Sequence, residues 1–149
     1  MRVKSFLYPV AFGVTAYDNN SCALRAYSYV TDTPFEDTQK KFKAEGRQIN
    51  EPTAQTVSHK LMLEAGLECL GVFGKGAIKD NFAYFCLQDN IEKQHKGMTL
   101  KTFCEKFNKG KYAVYIKGHM TVVHDGKIVD SFAQRGNAAV ITAYKRVEH

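Results

Sequence analysis

Cys22, His119 and Asp130 are the side-chain types that nucleophilic acyl transfer requires, and they occur in the order Cys, His, Asp. In that chemistry a thiolate attacks a carbonyl, an imidazole holds the proton and returns it to the leaving group, and a carboxylate fixes the ring tautomer. Cys22 follows Asp18-Asn19-Asn20-Ser21, a run of capping and turn residues. It opens the stretch CALRAYSYVT, in which Ala23, Leu24, Ala26, Tyr27 and Val30 give an apolar face at helical spacing. This predicts a helix whose first residue is the cysteine. At such a position the unpaired backbone N–H groups and the positive end of the helix dipole favour a thiolate and make the sulfur nucleophilic at neutral pH.

The other two residues lie in KYAVYIKGHMTVVHDGKIVDSF, from Lys111 to Phe132. Asp125-Gly126 between two β-rich runs predicts a two-residue hairpin, because both turn positions need positive φ. That register pairs His124 with Lys127, Thr121 with Asp130 and His119 with Phe132. Side chains alternate, so His119, Thr121 and Val123 are expected to share a face with Ile128, Asp130 and Phe132. His119 and Asp130 become diagonal neighbours with Cβ atoms about 7 Å apart, a gap that an imidazole and a carboxylate can close. His124 points the other way, which argues against a metal shared by the two histidines. A His and an Asp on a hairpin are also ordinary cross-strand polar residues, and it is the cysteine that gives them a chemical partner.

Other segments must bring these residues together. Thr33-Pro34-Phe35-Glu36 reads as a capping box with Pro at the first helical position, predicting a helix from about Pro34 to Glu45 that stops at Gly46 and buries Phe35, Thr38 and Phe42. Thr53 is expected to cap a further helix, about Ala54 to Ala65, with Gly66 beyond its end. His59, inside it, reads as a surface or packing residue. Leu70 to Phe73 fits a short strand, Asn81 to Leu87 fits either state, and the glycines Gly71, Gly74 and Gly76 of GVFGKG make only a weak phosphate loop. Thr99 caps a short helix, Leu100 to Phe107, closed by Asn108 and Gly110. After the Gly136-Asn137 turn, Ala138 to Val147 reads as a strand. Helices first and an antiparallel sheet afterwards make an α+β arrangement. With 149 residues, no linker and no repeat, one domain is expected.

Lys and Arg number 21 against 15 acids, a net charge of +6 that steers acidic partners toward the chain. The charges are dispersed, and the densest cluster, Lys40-Lys41-Phe42-Lys43, has Glu36 and Asp37 nearby, so a solvated helix face accounts for it and nucleic acid is a secondary partner. Cys22, Cys69, Cys86 and Cys104 show neither a CxxC pair nor zinc-ligand spacing, so a reducing, cytoplasmic compartment without a metal or other cofactor is expected. Cys69 and Cys86 lie in apolar runs and Cys104 between Phe103 and Phe107, where buried thiols are common. Arg2, Lys4 and the run Phe6 to Ala16 imitate a short signal peptide, but Tyr8, Pro9 and Gly13 interrupt it, and residues 2–17 read as an extended segment. No stretch approaches the roughly 20 apolar residues of a membrane span.

Asn20-Ser21-Cys22-Ala23-Leu24-Arg25-Ala26, taken with Gly118-His119 and Asp125-Gly126-Lys127-Ile128-Val129-Asp130, resembles papain-like cysteine hydrolases. More narrowly it is similar to the small bacteriophage or bacterial members related to bacteriocin-leader-processing peptidases. The resemblance implies N-terminal helices packed on a C-terminal antiparallel sheet, with Cys22 as nucleophile, His119 as general base and acid, and Asp130 as the orienting group. It implies a peptide or protein substrate, of phage or host, opened at an amide or isopeptide bond through an acyl-thioester. Papain-like enzymes place a Gln several residues before the cysteine as an oxyanion donor, and this chain has none there. Asn20 is the nearest amide and could serve with the N–H of Cys22. It reads equally as a helix cap, and Asp18 and Asn19 are alternatives. Arg25 pairs with a core acid or is a surface charge. The alternative function is a non-catalytic interaction module of the same fold, binding a host protein or nucleic acid through a basic surface.

Overall fold

The computed structural model describes residues 2–3, 22–47, 55–74, 94–116, 119–129 and 134–147. After β1 (Arg2–Val3) come three helices, α1 (Cys22–Thr31), α2 (Phe35–Ala44) and α3 (Gln55–Glu64). The first begins at the cysteine, as its spacing predicts. All three end in the same way, with the chain turned back by a residue in the left-handed region. Thr33 N–H donates to the Ser28 carbonyl, Arg47 N–H to Phe42 and Leu67 N–H to Met62. The turning residues are Asp32 at φ 56°, Gly46 at 103° and Gly66 at 85°. Gly46 and Gly66 are the expected stops. Asp32 does the same without being glycine, because a short polar side chain tolerates this conformation better than most.

The start of α2 departs from the capping box. Pro34 is the N-cap and has no side-chain bond, while its carbonyl accepts from the N–H groups of Asp37 and Thr38. Thr33 lies one residue too early to cap, and its hydroxyl meets that of Thr31 at 2.7 Å.

The strands that follow are β2 (Glu68–Phe73) and β3 (Gln94–His95), then, after α4 (Leu100–Lys106), β4 (Lys111–Ile116), β5 (His119–His124), β6 (Lys127–Val129), β7 (Gln134–Arg135) and β8 (Val140–Lys145). The main sheet has the order β3-β2-β8-β4-β5-β6, antiparallel throughout except for the short parallel pairing of β2 with β3. β1 and β7 form a separate two-stranded ribbon. The architecture is α+β, with helices toward the N-terminus and strands toward the C-terminus.

Asp125 (φ 50°) and Gly126 (φ 77°) form the predicted turn, and His124 pairs with Lys127, Val123 with Ile128 and Val122 with Val129. The run before that turn is two strands rather than one, since β4 also pairs with β5, from Lys111 with His124 to Ile116 with His119. The C-terminal strand β8 then inserts between β2 and β4.

Both faces of the sheet are covered. Ala113, Tyr115, Met120, Val122, Val129 and Tyr144 pack with Leu24, Tyr27, Val30, Phe35, Phe42 and Met62 of the three N-terminal helices. Tyr112, Val114, Ile116, Val123, Ile128 and Ala143 pack on the other side with Leu100, Phe103 and Cys104 of α4. A strand buried on both sides reads as a continuous apolar run, which is why KYAVYI shows no polar alternation. Thr99 caps α4 as expected, accepting from the N–H of Thr102 at 3.3 Å.

Buried polar groups tie the helical layer together. Ser28 Oγ donates to Thr38 Oγ1 at 2.7 Å between α1 and α2, and His59 Nδ1 shares a 2.6 Å hydrogen bond with the Tyr144 hydroxyl. His59 is thus a packing residue. The glycines of GVFGKG that are described serve the sheet: Gly71 lies at the bulge of β2, where its carbonyl accepts from the Thr142 hydroxyl, and Gly74 lies so close to Gly97 that an added Cβ would stand 2.9 Å from its Cα. The predictions for residues 4–17, Thr53, Gly76, Asn81 to Leu87 and Cys86 fall outside the described residues.

A Cβ at Gly126 would meet the Cys104 carbonyl at 3.0 Å and Asn108 Cβ at 3.3 Å, on a backbone at positive φ. Gly126→Ala should therefore lower stability by about 1–3 kcal/mol. The measurement is the urea midpoint at constant m-value; an unchanged midpoint would mean the turn is not held as described.

Candidate active site

Helix α1 packs against the face of β4 and β5 that carries Tyr115, Met120 and Val122. This places the start of the helix beside the start of β5. Cys22, the first residue of α1, is half-buried, and His119, the first residue of β5, is half-buried beside it. The thiol and the imidazole share a hydrogen bond, and the backbone N–H of Met120 also donates to the sulfur.

Regular alternation would send His119 to the α4 side with Val123 and Ile128, which do pack there. Its ring instead bonds a residue of the opposite layer. A residue that opens a strand has ordered pleat on one side only, so its side chain can reach round the end of the sheet. The face predicted for Val123 and Ile128 therefore holds, while His119 leaves it.

Two opposing effects set the acidity of Cys22. Burial is the larger single influence and pushes the thiol up. The hydrogen bond with His119, the Met120 N–H and the positive charges of His119 and Arg25 together outweigh it, so the pKa lies below that of an ordinary thiol. The other described cysteines differ. Burial, reinforced by the charge of Glu105, pushes Cys104 up, and Cys69 is buried beside the Thr142 hydroxyl at 3.7 Å.

Arg25 was legible only as a core pair or a surface charge, and the structure makes it part of the site. It stands one turn beyond Cys22 on the same helix face, half-buried, and its charge acts on the sulfur. The available signal was the three-residue spacing, which brings two helical side chains together. A small recess, partly open to solvent, lies between helix and sheet, lined by Cys22, Arg25, Ala26, Met120, Thr121, Val122 and Val129.

Asp130, Asn20, Asp18, Asn19 and Phe132 lie outside the described residues. Val129, immediately before Asp130, is buried opposite Val122 on β5. Thr121 is buried, and its hydroxyl has no hydrogen-bond partner among the described residues.

His124 is remote from this pair, as its register predicts. Its Nδ1 meets the Tyr29 hydroxyl at 2.6 Å, and its Nε2 lies 3.6 Å from Asp125. These groups belong to a polar cluster at the far end of α1, where Lys111 donates to Asp32 at 2.7 Å and lies 5.0 Å from the Tyr29 ring centre, and Arg146 also binds Asp32. The hydrogen bond from Lys111, followed by Arg146, holds the Asp32 carboxyl below its ordinary range. Cations at a helix C-terminus are favourable, so the cluster anchors the end of α1 opposite Cys22.

Among the described residues no group of three or more His, Cys, Asp or Glu is placed to hold a metal ion, and no helix is long and apolar enough to cross a membrane. Compared with known protein families, with curated proteins and with solved structures, the chain matches none.

The lowered pKa of Cys22 has a consequence for stability. A thiol whose pKa is lower in the folded than in the unfolded chain, where it is about 8.5, contributes stability that is complete above that value and is lost as pH falls through the folded one. Urea midpoints taken from about pH 9 down to about pH 6 should fall further for the wild type than for Cys22→Ala. Parallel curves would show that folding does not change the acidity of Cys22.

Proposed function

We propose that the chain is a papain-like cysteine hydrolase, or acyltransferase, acting on a peptide, isopeptide or other amide bond of a protein or peptide substrate. The observation that carries this reading is the hydrogen bond between Cys22, at the first position of α1, and His119, at the first position of β5, which makes this thiol more acidic than usual.

In this reading the Cys22 thiolate attacks the carbonyl carbon while His119 holds the proton. The helix start supplies backbone N–H groups toward the developing oxyanion, with the Asn20 amide as a second donor. His119 then protonates the leaving amine, and an acyl-thioester remains on Cys22. Water, deprotonated by His119, releases an acid, and an amine in its place gives acyl transfer. Asp130, on the chain that continues from β6, orients the imidazole. A reducing, cytoplasmic setting suits a free catalytic thiol, and a phage or host protein is the expected kind of substrate. The alternative, a binding module of the same fold, would keep its function in Cys22→Ser, whereas a hydrolase would lose it.

The test is alkylation by iodoacetamide, followed at each cysteine by peptide mass spectrometry across pH. Cys22 should label fastest and remain reactive a unit or more below about pH 8.5, whereas His119→Ala should slow it by about tenfold or more near pH 6. Asp130→Asn should slow turnover of any amide substrate more than it slows labelling, since it disturbs the proton transfers and not the sulfur itself. A Cys22 that labels no faster than Cys104, or that is indifferent to His119→Ala, would refute the proposal.

A further inference from the structure

Cys22 is half-buried, so few approaches to its sulfur remain. The sulfur shares a hydrogen bond with the His119 ring and receives another from the backbone N–H of Met120. The small recess beside it, partly open to solvent, has Ala26 of α1, Met120 and Val122 of β5 and Val129 of β6 among its walls. That recess has room for about one water-sized group, too little for a side chain and enough for a single oxygen atom. A second thiol is not at hand. Cys69 is on β2, and strands β8 and β4 separate β2 from β5, a distance of about 14 Å across the sheet. Cys104 packs in the layer on the opposite face. A disulfide needs Cα atoms within about 7 Å of each other, so among the described residues Cys22 has no thiol partner.

We propose that Cys22 is a reversible oxidation site for hydroperoxides, in which the recess takes the one oxygen that the sulfur acquires and leaves no place for a second. This rests on the hydrolase reading and names the regulation of its site. The Cys22 thiolate attacks one oxygen of hydrogen peroxide. The sulfur–oxygen bond forms as the oxygen–oxygen bond breaks, and the departing hydroxide takes the proton held by His119 and leaves as water. Sulfur is oxidised by two electrons to a sulfenic acid, the peroxide is reduced, and the sulfur no longer attacks a carbonyl. A small thiol restores it in two exchanges. The first expels water and leaves a mixed disulfide, and the second returns the Cys22 thiol and releases the small disulfide. Oxidation to sulfinic acid, which small thiols do not reverse, needs a second oxygen beside the first. The imidazole, the Met120 N–H and the recess walls leave it no space.

Hydrogen peroxide on the intact, reduced chain tests this, with each cysteine followed by peptide mass spectrometry and sulfenic acid trapped by dimedone. Near pH 7, Cys22 should oxidise faster than Cys104 by about tenfold or more, and His119→Ala should slow it comparably. The product should stop at one oxygen under excess peroxide, and dithiothreitol should restore labelling by iodoacetamide. Val129→Ala trims one wall of the recess, and its share of sulfinic acid should rise several-fold. The stop at one oxygen in the wild type is read independently of that variant.

A Cys22 that reacts quickly with iodoacetamide but oxidises no faster than Cys104 would overturn the oxidation site and leave the hydrolase reading intact. Direct passage of the wild type to sulfinic acid, or no recovery with dithiothreitol, would overturn the reversible switch. An unchanged share of sulfinic acid in folded Val129→Ala would overturn the recess as what stops the oxidation. A Cys22 inert to both peroxide and iodoacetamide would overturn both readings together.

Discussion

The packing of α1 against the sheet is the constraint on which the rest depends. Ala23, Leu24, Ala26, Tyr27, Ser28 and Val30 are all buried, so the helix is enclosed on most of its circumference and its rotation is fixed by the core. Each large apolar side chain of this kind contributes about 1.5–3 kcal/mol when fully buried, less what its ordering costs. Displacement of the helix by one residue would turn its side chains by about 100° and carry Cys22 away from His119. The thiol–imidazole contact is therefore held by the core, and the Asp32 cluster fixes the opposite end of the same rod.

Burial and polarity are balanced at Cys22 in a way that position explains better than residue type. Cys104 is also helical and also buried, but it lies inside α4 beside Glu105, and its thiol is harder to ionise. Cys22 loses solvent too. It recovers more than it loses because the helix start and the strand start meet there, supplying an imidazole, a backbone donor and a guanidinium one turn away. Partial burial also keeps these interactions from being screened, which a fully exposed thiol would not enjoy.

The sequence was most legible where local conformation is decided by few atoms. Asp125-Gly126 demanded positive φ at two successive residues, and the register of β5 with β6 followed from that alone. Gly46 and Gly66 marked helix ends for the same reason, while Asp32 performs an identical turn and passed unmarked because aspartate is far less specific for it. What escaped depended on contacts distant in sequence. That β8 lies between β2 and β4, and that α4 covers the second face, is written in no local pattern, and burial on both faces removes the alternation that would have separated β4 from β5. Cys22 and His119 were readable as candidates from a helix start and a strand. Their meeting required the docking of α1, and the action of the Arg25 charge on the sulfur became visible only with it.

The departure of His119 from its expected face is instructive about where such a pair can form. A residue in the middle of β5 is committed to one layer by neighbours on both sides, as Val122 and Val123 are to opposite cores. A helix that lies over one face can reach residues of that face directly, and residues of the other parity only at the end of the strand. The N-terminus of α1 coincides with that end, so its first side chain and the first side chain of β5 can meet although the pleat would separate them. The geometry thus ties the chemistry to the two element boundaries, which is why short stretches at Cys22 and His119 carry most of what can be read of this protein's function.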